Sequence, residues 1–383
     1  MNYDIVLIFT SFRKCGHYLS IVKKMSSSYN IGIYLYPLDK NDLLKLDKQN
    51  KVFLELIYSY GAKKVLDDLI KCKIMLIPQW HYHPQAIKKI FCSINSKYNY
   101  WFTGLGNGNS NFENLDKNKI HKVLVVDRKF YDFRLHHMTK EQAINLPKDS
   151  LVEVGTPFMK YPIFDALKID YIIANPTPYS FPSPKDRVKY MKNVLSLLNQ
   201  IPLDKNIVYK PHNAYGVDSL VNQRVFRLMN SFSFGLLLLL FYQLIKKIKV
   251  LNNINLINKI CIEIEIVKIQ KSMLSRVKHL KDLTKYHDNN LEIFLPHVSM
   301  GLITGRSNSI WHAFHAKLPV FNCIPNTTKE ISKEKMHAKN MRYYNLQSCE
   351  GNLKFDKKKI NVIEDKTRKS NIIDFLKNEL EKI

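Results

Sequence analysis

Two short segments concentrate the side chains able to hold an anion. The first is TGRSNSIWHAFHAKLPVF (304–321), in which an apolar strand closes at Gly305 and a polar turn opens a helix expected from about Ser307 to Ala316. Such a strand–turn–helix leaves unsatisfied backbone N–H groups and the positive end of the helix dipole pointing out of the sheet. Ser307, Asn308 and Ser309 add hydroxyl and amide donors, Gly305 lets the backbone approach closely, and Arg306 brings a charge. That combination suits a phosphate, although plain helix capping by Ser307 or Asn308 uses the same residue types. The second segment is YKPHN (209–213), at the end of another expected strand. Lys210 and His212 can each donate to a phosphate or ribose oxygen, Pro211 restricts the turn that presents them, and Asn213 adds a further polar group. Ligands of doubly wound sheets bind beyond the carboxyl ends of the strands, so two such ends in one unit form a candidate site.

The elements that must position these residues alternate. DIVLIFT (4–10), YNIGIYLY (29–36), KIMLIP (73–78) and KVLVVD (122–127) read as strands; Tyr18–Met25, Val52–Ile70 and Ala86–Ile94 have helical period. Strands separated by helices of this length predict a parallel sheet covered on both faces. A break near LVEVGTPFMKYP (151–162) starts a second unit, with a strand in DYIIANPTPYSFPSP (170–184), a helix over Asp186–Gln200 and a strand in KNIVYKPHN (205–213). Residues 214–290 interrupt the rhythm and are expected to be a helical insertion. The rhythm resumes with LEIFLPHV (291–298), MGLITG (300–305) and LPVFNC (318–323), and the chain ends in an amphipathic helix over Lys366–Ile383 with Ser370 as N-cap. The expected fold is α/β: two Rossmann-like doubly wound domains. The first spans 1–155 and the second 156–365, with the insertion at 214–290 and a C-terminal helix at 366–383.

Composition narrows the function classes. With 45% hydrophobic and 24% charged residues the chain is that of a globular protein, neither fibrous nor disordered. Its 59 Lys and Arg against 33 Asp and Glu give a net charge of +26, which favours an anionic partner. No RRM, KH, helix-turn-helix or zinc signature accompanies that charge, so nucleic acid is not the expected partner. The six cysteines are widely spaced without a CxxC pair, which fits reduced thiols in a cytoplasmic protein. HYHP (81–84) offers two imidazoles at alternate positions but no third ligand at a convincing distance, so no metal or other cofactor is expected. The N-terminal MNYDIVLIFTSF lacks the basic start and cleavage site of a signal peptide. The apolar run Phe232–Ile245, followed by Lys246, Lys247 and Lys249, falls short of the ~20 residues that span a bilayer. It reads either as a core helix or as an interfacial helix resting on an anionic membrane surface.

GTP (155–157), YIIANPTPYS (171–180), YKPH (209–212) and PHVSMGLITGRSNSIWHAFHAKLPVF (296–321) occur in an order that resembles the GT-B-fold bacterial transferases of cell-envelope polysaccharides. The CDP-glycerol glycerophosphotransferases are the nearest in pattern, with the bacterial sialyltransferases beside them. The resemblance covers roughly residues 150–325 without the insertion. It implies two domains facing a cleft, a nucleotide-activated sugar or polyol donor held by the second domain, and a glycan or lipid-linked acceptor. Carried over, Lys210 and His212 would contact donor phosphate or nucleotide, and Ser307 and Ser309 the phosphate. Asn213 stands where that group carries Pro, TGRSNS replaces its Asp-Tyr-Ser-Ser pattern, and the acidic base motif of the sialyltransferases is missing. On the acceptor side the fold directs attention to His17, in Gly16-His17-Tyr18 after the first strand, and to the Gly/Asn-rich stretch WFTGLGNGNSNFENL (101–115). Glu113 and Asp116 are, with His17, the candidate catalytic bases. The expected activity is glycosyl transfer at the inner face of the plasma membrane. The alternatives are CDP-glycerol-type polyol-phosphate transfer and non-catalytic binding to an anionic surface or nucleic acid.

Overall fold

The structure is a computed structural model, and it describes residues 2–9, 16–35, 51–65, 70–78, 84–103, 119–125, 151–155, 159–174, 181, 184–210, 255–286, 291–305, 309–325, 349, 351–353 and 371–383. The chain divides into two compact units. Unit 1 comprises Met1–Ile163, Asp288–Pro296 and Ile363–Ile383, and unit 2 comprises Phe164–His287 and His297–Val362.

Unit 1 is built on β1 (Asn2–Phe9), α1 (Gly16–Met25), β2 (Ile31–Leu35), α2 (51–59), β3 (Lys63–Lys64), β4 (Ile70–Pro78), α3 (Pro84–Ser93), β5 (Ile94–Thr103), β6 (Lys122–Val125) and β7 (Leu151–Glu153). Its seven strands lie in the order β3-β2-β1-β4-β5-β6-β7, and every pairing is parallel. The unbroken apolar run Ile5–Phe9 has no solvent exposure, as expected of a parallel strand covered on both faces. Chain order reverses between β1 and β4, so this sheet forks at that pair.

Unit 2 contains β8 (Ile169–Ala174), α4 (Pro184–Gln200), β9 (Ile207–Lys210), α5 (Asn255–Leu274), β10 (Lys278–His279), β11 (Val298–Thr304), α6 (Ser309–His315) and β12 (Val320–Asn322). The strand order β10-β9-β8-β11-β12, again all parallel, places the fork between β8 and β11. Both units are therefore Rossmann-like doubly wound sheets. Helices α4 and α5 pack together over the sheet through Tyr190, Leu197, Leu198, Ile266 and Met273, all buried. The Arg276 guanidinium donates to the carbonyls of Leu198 (3.1 Å) and Ile201 (2.8 Å), tying the end of α4 to the segment between α5 and β10.

Local details differ from the sequence expectation for identifiable reasons. Among the described residues of the helix expected over 52–70, helix is seen over 51–59; Gly61 takes a left-handed φ of 101° that ends it, and β3 follows. LEIFLPHV is not a strand: 291–297 forms two 3₁₀ turns, and the strand starts only at Val298, since Pro296 has no N–H for a ladder. Within the stretch expected as a helical insertion, α5 is helical and leads into β10, which pairs with β9 as the edge of the sheet. The C-terminal helix, α7 (Ile372–Glu381), is capped by Asn371 rather than Ser370. The Asn371 side-chain oxygen accepts from the N–H groups of Ile373 and Asp374 at 2.9 and 3.0 Å. This helix belongs to unit 1, where Glu379 accepts from Tyr100 of β5 (2.5 Å) and Lys122 of β6 (2.8 Å).

Candidate functional site

The registers of unit 2 align its strands row by row. Val208, Ile172, Leu302 and Val320 form one row, and Tyr209, Ile173, Ile303 and Phe321 the next. Both are composed of apolar and aromatic residues. The last row, at the carboxyl edge, is Lys210–Ala174–Thr304–Asn322, and there the chemistry changes. Three of its four residues are polar and nearly enclosed: Lys210 is 6% exposed, Thr304 0% and Asn322 1%. Enclosing a lysine, a hydroxyl and an amide together is costly unless each is hydrogen-bonded or paired.

The row straddles the fork. Thr304 of β11 donates its hydroxyl proton to the carbonyl of Ala174 on β8, bridging the two strands where the chain order reverses. Asn322 accepts from the backbone N–H of Ile324 (3.2 Å), and the Cys323 N–H donates to the Thr304 carbonyl (2.9 Å), holding the end of β12 against β11. From α4, the Asn193 amide donates to the Cys323 carbonyl (2.9 Å). Lys210 lies one strand beyond Ala174, on the other side of the fork from β11. Chemically the edge offers the Lys210 cation and the Asn322 amide, with the Thr304 hydroxyl proton engaged in holding the fork together; a cation and an amide along one edge match a phosphate ester.

Among the residues expected in this site, Lys210, Gly305 and Ser309 are described. Lys210 ends β9, buried Gly305 directly follows β11, and half-buried Ser309 is the first described residue of α6. His212, Asn213, Arg306, Ser307 and Asn308 lie outside the described residues. Thr304 and Asn322 were not singled out from sequence. Their signal is a polar residue closing an apolar run, GLIT in β11 and VFN in β12.

Unit 1 treats its fork differently. Tyr18, in the first turns of α1, is fully buried, and its hydroxyl donates toward the carbonyls of Ile8 on β1 (3.0 Å) and Leu76 on β4 (3.3 Å). An aromatic side chain thus occupies the position at which the two central strands diverge. His17 beside it is 3% exposed and stands edge-on to Phe102 of β5, with ring centroids 5.1 Å apart. The other acceptor-side candidates, Glu113 and Asp116, lie outside the described residues, as do the 104–108 glycines, the HYHP imidazoles His81 and His83, and the apolar run 232–245. Among the described residues no three His, Cys, Asp or Glu side chains group as metal ligands, and no helix is long and apolar enough to cross a membrane.

No family model and no curated protein matches this chain. Among solved structures it is similar to the UDP complex of MnaA from S. aureus, with 9% identity and a TM-score of 0.40 over 99% of this chain and 91% of that one. It is similar to a UDP-N-acetylglucosamine 2-epimerase at 11% identity and a TM-score of 0.40, over 86% and 80% of the two chains. It is also similar to the calicheamicin glycosyltransferase CalG4, at 10% identity and a TM-score of 0.36, over 91% and 85%. Likeness this distant leaves the chemistry to be read from the chain's own residues.

Proposed function

We propose that this protein is a glycosyltransferase-like enzyme that binds a nucleotide-activated donor at the carboxyl edge of the unit 2 sheet and transfers its sugar to a glycan or lipid-linked acceptor. The observation that carries the reading is the polar row Lys210–Thr304–Asn322 at the fork between β8 and β11, above rows of apolar and aromatic residues. Doubly wound sheets bind ligands at this place. The plugging of the corresponding fork in unit 1 by Tyr18 favours unit 2 as the donor-binding half.

In this reading Lys210 and His212 neutralise charge on the donor phosphates, and the turn Gly305–Ser309 supplies backbone and hydroxyl donors. As the bond to the sugar breaks, negative charge builds on the departing nucleotide phosphate, and donors already fixed in place stabilise it without reorganising. His17, Glu113 and Asp116 are the proposed acceptor-side residues, one of which takes the proton of the attacking hydroxyl. Replacing His212 or Ser307 by Ala is expected to lower transfer on the order of 10²-fold each; transfer unchanged in both variants overturns the assignment.

Transfer of a polyol phosphate from a CDP-linked donor would use the same edge. A thermal-shift panel of CDP-glycerol, CMP-sialic acid, UDP-sugars and GDP-sugars separates the two, since a ligand of the native state raises Tm. Steeply salt-dependent RNA binding with no response to any donor would instead point to a nucleic-acid binder.

A further inference from the structure

Two buried thiols stand beside the carboxyl edge of unit 2. Cys323 follows β12 directly, and Cys349 returns to it after the intervening chain; their sulfurs are 3.7 Å apart, with 0% and 3% exposure. Backbone bonds hold both. The Cys323 N–H donates to the Thr304 carbonyl (2.9 Å), and the Cys349 N–H donates to the Asn322 carbonyl (2.8 Å). A disulfide needs its sulfurs ~2.05 Å apart, so closing the gap takes a shift of about 1.7 Å shared between the two residues. Cys323 is fixed at a strand end. Cys349 lies outside regular structure, two residues before Gly351, which takes a left-handed φ of 82°.

We propose that Cys323 and Cys349 are a redox pair that closes to an intramolecular disulfide when the folded protein meets a small hydroperoxide. No other two described cysteines are in contact: Cys72 is buried in unit 1, Cys92 is exposed, and Cys261 lies on α5. Reactivity is divided within the pair. The hydrogen bond with Cys323 holds the Cys349 thiol below its ordinary range against the opposing effect of burial, with backbone hydrogen bonds adding to it. Burial, followed by the partner sulfur, pushes Cys323 up. Cys323 is fixed directly after β12, so the attacking role is assigned to Cys349. Its thiolate attacks one peroxide oxygen and the O–O bond breaks. Sulfur is oxidised to the sulfenic acid, and the departing alkoxide or hydroxide takes up a proton. The Cys323 sulfur then attacks the Cys349 sulfur, the S–O bond breaks, and water leaves with the thiol proton. Overall, two thiols and one hydroperoxide give a disulfide, water and an alcohol, or a second water where the oxidant is hydrogen peroxide. The product ties the chain following residue 348 covalently to the sheet edge that carries Thr304 and Asn322. The inference is independent of the transferase reading, because its readout is a covalent bond and not activity.

The test treats the full-length folded chain with hydrogen peroxide, blocks remaining thiols with N-ethylmaleimide, and maps peptides without reduction. Expected is a linked pair of peptides containing Cys323 and Cys349, lighter by two hydrogens than the free peptides and released by dithiothreitol. In Cys349→Ser and Cys349→Ala the linked species is absent and Cys323 alkylates once the chain is unfolded. Cys349 driven to sulfinic acid without a cross-link overturns the proposal. So does either thiol recovered fully free under conditions that oxidise Cys92, or linkage of Cys323 to any other cysteine.

Discussion

Removing the charge of Glu379 should destabilise unit 1 by a pH-dependent amount. The carboxylate sits in a cluster joining the C-terminal helix to the sheet: Tyr100 and Lys122 donate to Oε2, and Lys382 donates to Oε1 at 2.8 Å. Burial alone would raise its pKa, but the bonds from Lys122, Lys382 and Tyr100 outweigh burial and hold it down at about 2, from an ordinary 4.5. A folded-state pKa below the unfolded one contributes stability that is complete above the unfolded value. The contribution is lost as pH falls through 4.5 toward 2. At ~1.36 kcal/mol per pH unit the ceiling is roughly 3 kcal/mol. Lys122 is one-third exposed and Lys382 mostly so, and solvent screening of both brings the expectation to about 2 kcal/mol. Glu379→Gln keeps the shape and removes the charge. The variant is therefore expected to lose about 2 kcal/mol at pH 7, with the gap to the parent narrowing by roughly 0.5 kcal/mol by pH 4, to about 1 kcal/mol by pH 3, and closing only as pH falls to 2 and below. Hydrogen exchange of peptides from β5 and α7, read by mass spectrometry across that pH range, reports unit 1 by itself. A variant as stable as the parent at pH 7, or a gap that does not change with pH, refutes the reasoning.

Two further substitutions test the local structure. Asn371→Ala removes the acceptor of two N–H groups at the start of α7 and should cost about 1 kcal/mol, seen as faster exchange in the first turn of that helix. Gly301→Ala places a Cβ 2.8 Å from the Phe321 ring and 2.9 Å from the Pro319 carbonyl, inside the unit 2 core. A loss of about 1–3 kcal/mol in chemical denaturation is expected.

The strands were legible wherever burial on both faces imposed an uninterrupted apolar run, as in Ile5–Phe9 and Met75–Ile77. Boundaries were less so, because a single residue decides them: Gly61 stops α2, Pro296 delays β11, and Asn371 caps α7 where Ser370 stands one position earlier. The edge strand β10 has only two residues, Lys278 and His279, too few to show a period of two. Lys210 could be placed at a strand end from its position after IVY. Thr304 and Asn322 likewise close apolar runs, but their significance comes from register: only strand order shows that residues 210, 304 and 322 share one row. The plug at the unit 1 fork was equally hidden, since Tyr18 reads in sequence as one more apolar position on the buried face of α1.

The central claim is that the polar row at the unit 2 fork binds the phosphates of a nucleotide-activated donor. The most direct measurement is calorimetric titration of UDP and CDP into the parent protein and into Lys210→Met, which keeps the length of the side chain and removes its charge. Saturable binding by the parent of at least one nucleotide is expected, weakened on the order of 10-fold or more in the variant, in keeping with a charged hydrogen bond of about 1.5–3 kcal/mol. No binding by the parent, or equal affinity in the two proteins when both are folded, contradicts it.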